Sequence, residues 1–330
     1  MMRIRIYDLE EHYHDAFRAA FADDEVLIST EPLSNPEDCE VLVVFISSHV
    51  TREVLDAMPS LTHVATMSTG FDHIDTAACA ERSISVMNVP TYGSNTVAEH
   101  TFTLILALAR KLPESIHRVR YELSFSTDPG LRGFDLEGKR LGLIGLGQIG
   151  SHVARMAKGF GMDVVVFDVF PNEALAASVG CRFVSFGELV STSDVVSIHV
   201  PLNEHTRRMF DDDVFSKMKR GSLIINTSRG GIIDTEALVR ALRNGTLSGA
   251  GLDVLEFESE LEDDIAVLAR DEQVERAILA ELALLRTPNV LITPHNAFNS
   301  HEAVERIVTT SIENVRSALR GDHVNTVHGS

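Results

Sequence analysis

The stretch LGLIGLGQIG at residues 141–150 constrains the fold of this chain more than any other. It opens on a short apolar run that reads as a buried strand. Gly145, Gly147 and Gly150 follow with the spacing G-x-G-x-x-G, and Ile149, Val153, Met156 and Phe160 then recur on one helical face. Strand, glycine turn and amphipathic helix in that order predict a nucleotide-binding βαβ unit. The first glycine permits a tight turn, the second lets a pyrophosphate approach the backbone, and the third lets helix and strand pack closely. The helix start adds N–H groups and a positive dipole end.

The rest of the chain repeats this alternation. Apolar β-like runs at IRIYD, VLVVF, THVATM and SVMNV precede the glycine turn, and DVVVFD, DVVSIHV, SLIINTS, GAGLDVL and NVLITPH follow it, with helical patterns between most of them. This predicts an α/β chain with doubly wound parallel sheets. Its 330 residues suffice for two domains. A helix is expected near Asp15 to Phe21 and another from Thr235 to Leu242. Thr96 and Glu99 have capping-box spacing, which predicts a helix start there. The helix that follows, through Leu112, is apolar almost all round and should be buried on several sides. The last 30 or so residues carry a helix expected to return to the first domain.

The formal net charge of −19 repels phosphate backbones and anionic membranes, so neither nucleic acid nor membrane is an expected partner. The charged N-terminus lacks a signal-like apolar region, and the longest apolar stretch, near Leu104 to Leu108, is too short to span a bilayer. Cys39, Cys79 and Cys181 have no metal-like spacing and read as free thiols of a cytoplasmic protein, so no metal is expected. The acidic run from Glu256 to Glu275 reads as a solvated helix surface.

Asp168 ends the strand after the glycine turn, where an acid bonds ribose hydroxyls and repels the extra phosphate of NADP. Val169, Phe170 and Pro171 offer no compensating cation. The cofactor expected is therefore NAD. Three further residues carry chemistry, each just past a β-like run: Arg229 in TSRGG, Glu258 in LDVLEFE and His295 in TPHNAF. An arginine fork holds a carboxylate and polarises a carbonyl. A histidine exchanges a proton near neutrality, and a neighbouring carboxylate tunes it. Such a set suits reversible reduction of a 2-keto acid. Glu256 competes with Glu258 for the role of the tuning acid.

Taken together, STGFDHID, NVPTYGSNTVAEH, GLGQIG, HVPL, TSRGG, GLDVLEFE and TPHNAF resemble, in order and over roughly residues 60 to 300, the D-isomer-specific 2-hydroxyacid dehydrogenases. The resemblance implies a Rossmann NAD domain at 99–296 and a flavodoxin-like substrate domain formed by both chain ends, 1–98 and 297–330. It also implies an active site in the cleft and a homodimer. By the same resemblance Arg229, Glu258 and His295 are the catalytic set. Gln148 and Ile149 face the pyrophosphate. His199, Val200, Pro201 and Thr206 line the cofactor pocket, joined by Thr227, Ser228, Arg229, Asp253 and His295 on the nicotinamide side. Thr69 and Gly70 present N–H groups to the substrate carboxylate.

The substrate expected is small. Asn296-Ala297-Phe298 replaces the glycine and serine of phosphoglycerate, glyoxylate and hydroxypyruvate relatives and is similar to D-lactate dehydrogenases. Tyr92, Phe298 and Phe45 would form an aromatic wall suited to the pyruvate methyl. Two alternatives stay open: a dehydrogenase for another small 2-hydroxy acid, and an NAD-binding corepressor of the same fold.

Overall fold

The computed structural model describes residues 1–256, 272–322 and 324–327, with the backbone alone at 272–275 and 277. In chain order its elements are β1 (Arg3–Ile6), α1 (His14–Ala20), β2 (Glu25–Ile28), β3 (Val41–Val44), α2 (Arg52–Asp56), β4 (His63–Thr66), α3 (Thr76–Glu81), β5 (Ser85–Met87), α4 (Ser94–Ala109) and α5 (Leu112–Glu122). There follow β6 (Arg140–Ile144), α6 (Gln148–Gly159), β7 (Asp163–Phe167), α7 (Glu173–Val179), β8 (Arg182–Phe183), α8 (Phe186–Thr192), β9 (Val195–Ile198) and α9 (Asp212–Lys217). The last are β10 (Ser222–Asn226), α10 (Thr235–Arg243), β11 (Leu247–Leu252), α11 (Glu272–Leu285), β12 (Val290–Ile292), α12 (His301–Leu319) and β13 (Thr326–Val327). Among the described residues, no helix is long and apolar enough to cross a membrane.

The chain forms two compact units, one of Met1–Gly93 with Asn299–Ser330, the other of Ser94–Phe298. In the first unit the strand order is β13-β5-β4-β3-β1-β2, parallel except for β13. Its β2-β1-β3-β4-β5 core is the flavodoxin-like order. The helix α12 is tied to this sheet by polar contacts. Asn314 donates through Nδ2 to the Asn88 carbonyl at 2.8 Å and accepts from Asn325 Nδ2 at 2.8 Å, and the Asn88 N–H bonds the Asn325 carbonyl. Cys39 and Cys79 are buried here, and burial pushes their thiols up to about 12 and about 11, so both stay protonated and inert.

In the second unit seven parallel strands run β12-β11-β10-β9-β6-β7-β8, the Rossmann order extended by one strand. Side-chain alternation splits its core into two layers. Val164, Val166, Leu223 and Ile225 pack under α4 and α6, while Val165, Ile224, Val196 and Ile198 face the layer that includes α10. Burial of each large side chain in these layers stabilises the fold by about 1.5–3 kcal/mol. Helix α4 lies close on β11 because Gly249 and Gly251 have no side chains. A Cβ on Gly251 would stand 3.0 Å from Leu104 Cβ.

Helix α4 departs from expectation at both ends. It starts at Ser94, so Thr96 lies inside it, and Glu99 Oε1 accepts from Asn95 Nδ2 at 2.5 Å instead of closing a capping box on Thr96. It stops at Ala109 because Lys111 turns left-handed (φ 52°) and Pro113 opens α5. Among the edge strands, β8 and β13 have only two residues each, and β2 (Glu-Val-Leu-Ile) has every residue exposed or half-buried.

Candidate active site

The order of the second sheet reverses between β6 and β9, and ligands of doubly wound sheets bind beyond the strand ends at such a point. The glycine turn lies there. Gly145 has φ 97°, and a Cβ on it would come within 2.6 Å of the His199 carbonyl oxygen. A Cβ on Gly150 would stand 2.3 Å from the Gly145 carbonyl oxygen, so that glycine lets α6 begin against the turn itself. Gly147 differs: a Cβ there would meet nothing within 4 Å. Gly147 is the N-cap of α6, and no side chain caps the helix. The first N–H groups, those of Gln148 and Ile149 included, therefore open onto free space with the positive end of the dipole behind them. This cradle fits a pyrophosphate.

Asp168 follows β7 and is half-buried. Its Oδ2 accepts from the Leu146 N–H at 2.8 Å and its Oδ1 from the Phe170 N–H at 2.9 Å. Each oxygen keeps a lone pair for a hydroxyl. The loop after β9 forms the opposite wall. His199 bonds Ser197 Oγ through Nε2 at 2.9 Å. Its residue is partly exposed, but Nδ1 is out of solvent and has no hydrogen-bond partner among the described residues. Burial pushes the imidazole down to about 3, so it is neutral throughout the working range. Val200 Cγ1 lies 3.0 Å from where a Gly145 Cβ would be. Thr206 Oγ1 donates to the Pro201 carbonyl at 2.6 Å and accepts from the Asn203 N–H at 2.8 Å, which pins the loop.

The proposed acid–base set stands on the neighbouring strands β10, β11 and β12. Registers Asn226↔Leu252 and Leu252↔Ile292 bring their ends level. The backbone pairing continues into the loops, with Asp253 N–H to the Asn226 carbonyl and His295 N–H to the Asp253 carbonyl, both 2.9 Å. Arg229 is half-buried and extended, with Nη1 donating to the Ser228 carbonyl at 2.8 Å. Asn226 holds this loop: its Nδ2 donates to the Arg229 carbonyl at 2.9 Å and its Oδ1 accepts from the Ser228 N–H at 3.0 Å. Ser228 Oγ reaches the Ile198 carbonyl at 2.9 Å. Gly230 has no room for a Cβ, which would fall 1.9 Å from the Leu255 carbonyl oxygen.

His295 sits at φ 48°, uncommon for a residue with a side chain. Asp253, 1% exposed, supplies the support for that conformation. Its Oδ1 accepts from Thr293 Oγ1 at 2.5 Å and from the Asn296 N–H at 3.0 Å, and its Oδ2 from the Ala297 N–H at 2.9 Å. The resemblance put Asp253 on the nicotinamide side; its carboxylate is turned onto the loop that carries His295. Glu258 and most of the acidic run lie outside the described residues. Glu256 is committed elsewhere: its carboxylate meets Arg208 Nη2 at 3.0 Å and accepts from Thr235 Oγ1 at 3.1 Å.

Other expected site residues belong to the first unit. Phe45 follows β3 directly and is half-buried. In the loop after β4, Thr69 Oγ1 donates to the Val89 carbonyl at 2.7 Å, the Thr69 carbonyl accepts from Asn88 Nδ2, and Ser68 Oγ donates to the Gly70 carbonyl. The Tyr92 carbonyl accepts from Arg306 Nε at 2.7 Å. Phe298, half-buried, ends the His295 loop in the second unit. Sequence reasoning missed Asn226, His100, Thr101 and Thr293 as supports of the two loops. His100 and Thr293 were visible as polar members of quoted motifs, but nothing in their spacing indicated their partners.

A parallel sheet with an open, uncapped glycine turn at its switch point, and an arginine and a histidine past the ends of β10 and β12 on either side of β11, defines a dinucleotide-dependent oxidoreductase. The chain belongs to the D-isomer-specific 2-hydroxyacid dehydrogenases: the model of that family's NAD-binding domain matches residues 102–297. It is an NAD-dependent oxidoreductase of D-2-hydroxy acids. It is 33% identical to the D-lactate dehydrogenase of Escherichia coli K12 over 302 residues, 90% of this chain and 89% of that one. It is 36% identical to the glyoxylate reductase of Korarchaeum cryptofilum over 288 residues, 87% and 81% of the two chains. Among solved structures it resembles the D-lactate dehydrogenase of Aquifex aeolicus complexed with NAD and lactic acid. That match has a TM-score of 0.89 and 36% identity, and covers 99% of each chain.

Proposed function

We propose that the chain interconverts pyruvate and D-lactate, with Arg229, Glu258 and His295 as its catalytic residues. The observation that carries the catalytic assignment is the continuous pairing across three strand ends, Asn226 to Asp253 to His295, which brings the arginine loop and the histidine loop together. NADH, when bound, supplies the hydride for reduction. Arg229 holds the substrate carboxylate bidentately and stabilises the negative charge that develops on the keto oxygen. His295 gives its proton to that oxygen; in oxidation the neutral imidazole takes it back. Glu258 supports the charged form of His295, a role for which Glu256 is disfavoured by its contacts with Arg208 and Thr235. In this reading the 99–296 region binds NAD and the two chain ends form the substrate domain, where Thr69 and Gly70 offer backbone N–H groups to the carboxylate and Phe45 and Tyr92 supply apolar surface.

The choice of pyruvate rests on Phe298 at the end of the histidine loop and on the similarity to D-lactate dehydrogenases. The likeness to a glyoxylate reductase keeps that smaller keto acid as the second reading. A panel of 2-keto acids with NADH, followed at the nicotinamide absorbance, tests the assignment, and chiral chromatography tests the product. Highest kcat/KM on pyruvate with D-lactate formed supports it; preference for glyoxylate or an L product overturns it.

The same reading includes a homodimer. Helix α5 has no buried residue, and it exposes Leu112, Ile116, Val119 and Tyr121, with Leu123 and Phe125 just beyond. Leu112, Ile116 and Val119, at i, i+4 and i+7, share one face of the helix, and such an apolar stripe suits a protein interface. A cytoplasmic location is consistent with three free cysteines, two of them buried and inert.

A further inference from the structure

The second turn of α4 touches both loops that carry the proposed catalytic residues. Thr101 Oγ1 lies 3.1 Å from Thr227 Oγ1, two residues before Arg229, and both threonines are buried. His100, one position earlier, faces the other loop. Its Nε2 is 3.0 Å from Thr293 Oγ1 and 3.5 Å from Asp253 Oδ1. The direction of the chain of hydrogen bonds follows from chemistry. An ionised carboxylate only accepts, so Thr293 donates its hydroxyl proton to Asp253 Oδ1. The Thr293 oxygen is then left to accept, and His100 Nε2 must carry the proton that it receives. His100, Thr293 and Asp253 form a relay of donors that ends on the carboxylate holding the N–H groups of Asn296 and Ala297. His295 lies between the two anchored points, Thr293 and Asn296.

We infer that His100 is a positioning residue for the reaction: through Thr293 and Asp253 it holds His295 in its left-handed conformation and so sets the direction of proton delivery. The inference rests on His295 being the proton donor. The geometry requires a donor at this point. Without the His100 N–H, the Thr293 hydroxyl can rotate away from Asp253, and the carboxylate loses one of its three hydrogen bonds to the loop. The Cβ directions at φ 48° and in ordinary extended backbone differ, so release of the loop redirects the imidazole. A displacement near 1 Å at a reacting group costs on the order of 10²-fold in rate.

The experiment compares His100→Phe, His100→Gln, Thr293→Val and the double variant His100→Phe/Thr293→Val in the full-length enzyme. Keto-acid reduction, NADH affinity and thermal unfolding are measured for each. The expected result for His100→Phe is a kcat lower by about 10- to 10²-fold, with the keto-acid KM and NADH affinity near wild type. His100→Gln, whose amide can place an N–H near the Nε2 position, should recover part of the rate. Thr293→Val should reproduce the loss, and the double variant should be no worse than the more damaging single one, because both cut the same relay. Wild-type kcat in soluble, folded His100→Phe overturns the inference, as do additive losses in the double variant. A His295→Ala control separates the two levels. If that variant turns over normally, the proton-donor reading fails; if it is inactive while His100→Phe is not, only the relay fails.

Discussion

Asp168 Oδ2 accepts a hydrogen bond from the Leu146 N–H at 2.8 Å, so the carboxylate proposed to meet a ribose also fixes the glycine turn that would meet the phosphates. The two halves of the cofactor cradle are therefore not independent. NADH should give a higher kcat/KM than NADPH, since a second phosphate would face this carboxylate and the exposed Val169 and Phe170, with no cation among them. Asp168→Ser should narrow the ratio. It should also lower stability by about 2 kcal/mol, because serine cannot serve both Leu146 and Phe170. Steady-state kinetics with both cofactors and a denaturant titration read the two effects. An NADPH preference in the wild type would remove Asp168 from the ribose site.

His295→Ala should lower turnover ~10²–10⁴-fold, the usual loss on removing a general acid. NADH binding, followed by fluorescence, should stay near the wild-type value because the cradle at Gly147 is untouched. Glu258→Gln should keep partial activity and move the acid limb of lactate oxidation to lower pH. In the proposed role its carboxylate would favour the imidazolium, so its loss would let the neutral base persist further into acid. Glu256→Gln should instead leave the profile in place and lower the melting temperature, since it breaks contacts to Arg208 and Thr235. The opposite pattern in these two variants would reverse their roles.

Phe298 closes the histidine loop, and its ring is the apolar surface attributed to a methyl-sized pocket. Pyruvate should outperform hydroxypyruvate, but by roughly 10²-fold at best, because an apolar pocket rejects an added hydroxyl only weakly. Phe298→Ala should raise kcat/KM for 2-ketoisocaproate relative to pyruvate. A wild type that already prefers the longer acid contradicts the small-pocket assignment.

The stripe on α5 gives a test of assembly. Ile116 and Val119 are 45% and 41% exposed, on a helix that buries none of its residues. Ile116→Asp with Val119→Asp should convert a dimer to a monomer by light scattering, since two carboxylates desolvated at an apolar contact are not tolerated. A wild type that is already monomeric, or a double variant that remains dimeric, rules this face out.

The parallel sheets and the glycine turn were legible because their signals are local: continuous apolar runs for buried strands, and a spacing that only a turn into a helix explains. Strand β2 was not, since its apolar run, Val26 to Ile28, is only three residues long and its burial alternates between exposed and half-buried. The start of α4 was misplaced by three residues: a capping box would make Thr96 the N-cap and Val97 the first helical residue, but the helix begins at Ser94 and Glu99 engages Asn95 within it. The supports of the site were illegible for a different reason. His100 meets Thr293 across 193 residues and Asn226 acts on a carbonyl, and neither contact leaves a periodic trace. Asp253 stood out by its motif, yet its use, holding the backbone beside His295, emerges only when three strands end level.

Gly147 and Gly150 separate binding from folding within one motif. A methyl on Gly150 would stand 2.3 Å from the Gly145 carbonyl oxygen, which is backbone and cannot move without shifting the turn. Gly150→Ala should therefore destabilise the second unit, in the range of a few kcal/mol for a steric insertion into packed structure. A methyl on Gly147 meets nothing within 4 Å, and the residue has φ −79°, accessible to alanine. Gly147→Ala should leave the melting temperature within about a degree or two of wild type, as for a surface substitution. The space it fills, however, is where a pyrophosphate would approach the α6 N-terminus, so NADH affinity should fall by about tenfold or more, the scale of one lost close contact at 1.4 kcal/mol. Calorimetric titration with NADH and thermal unfolding of both variants measure this. Undiminished NADH binding by a stable Gly147→Ala variant would place the phosphates elsewhere than at this helix start.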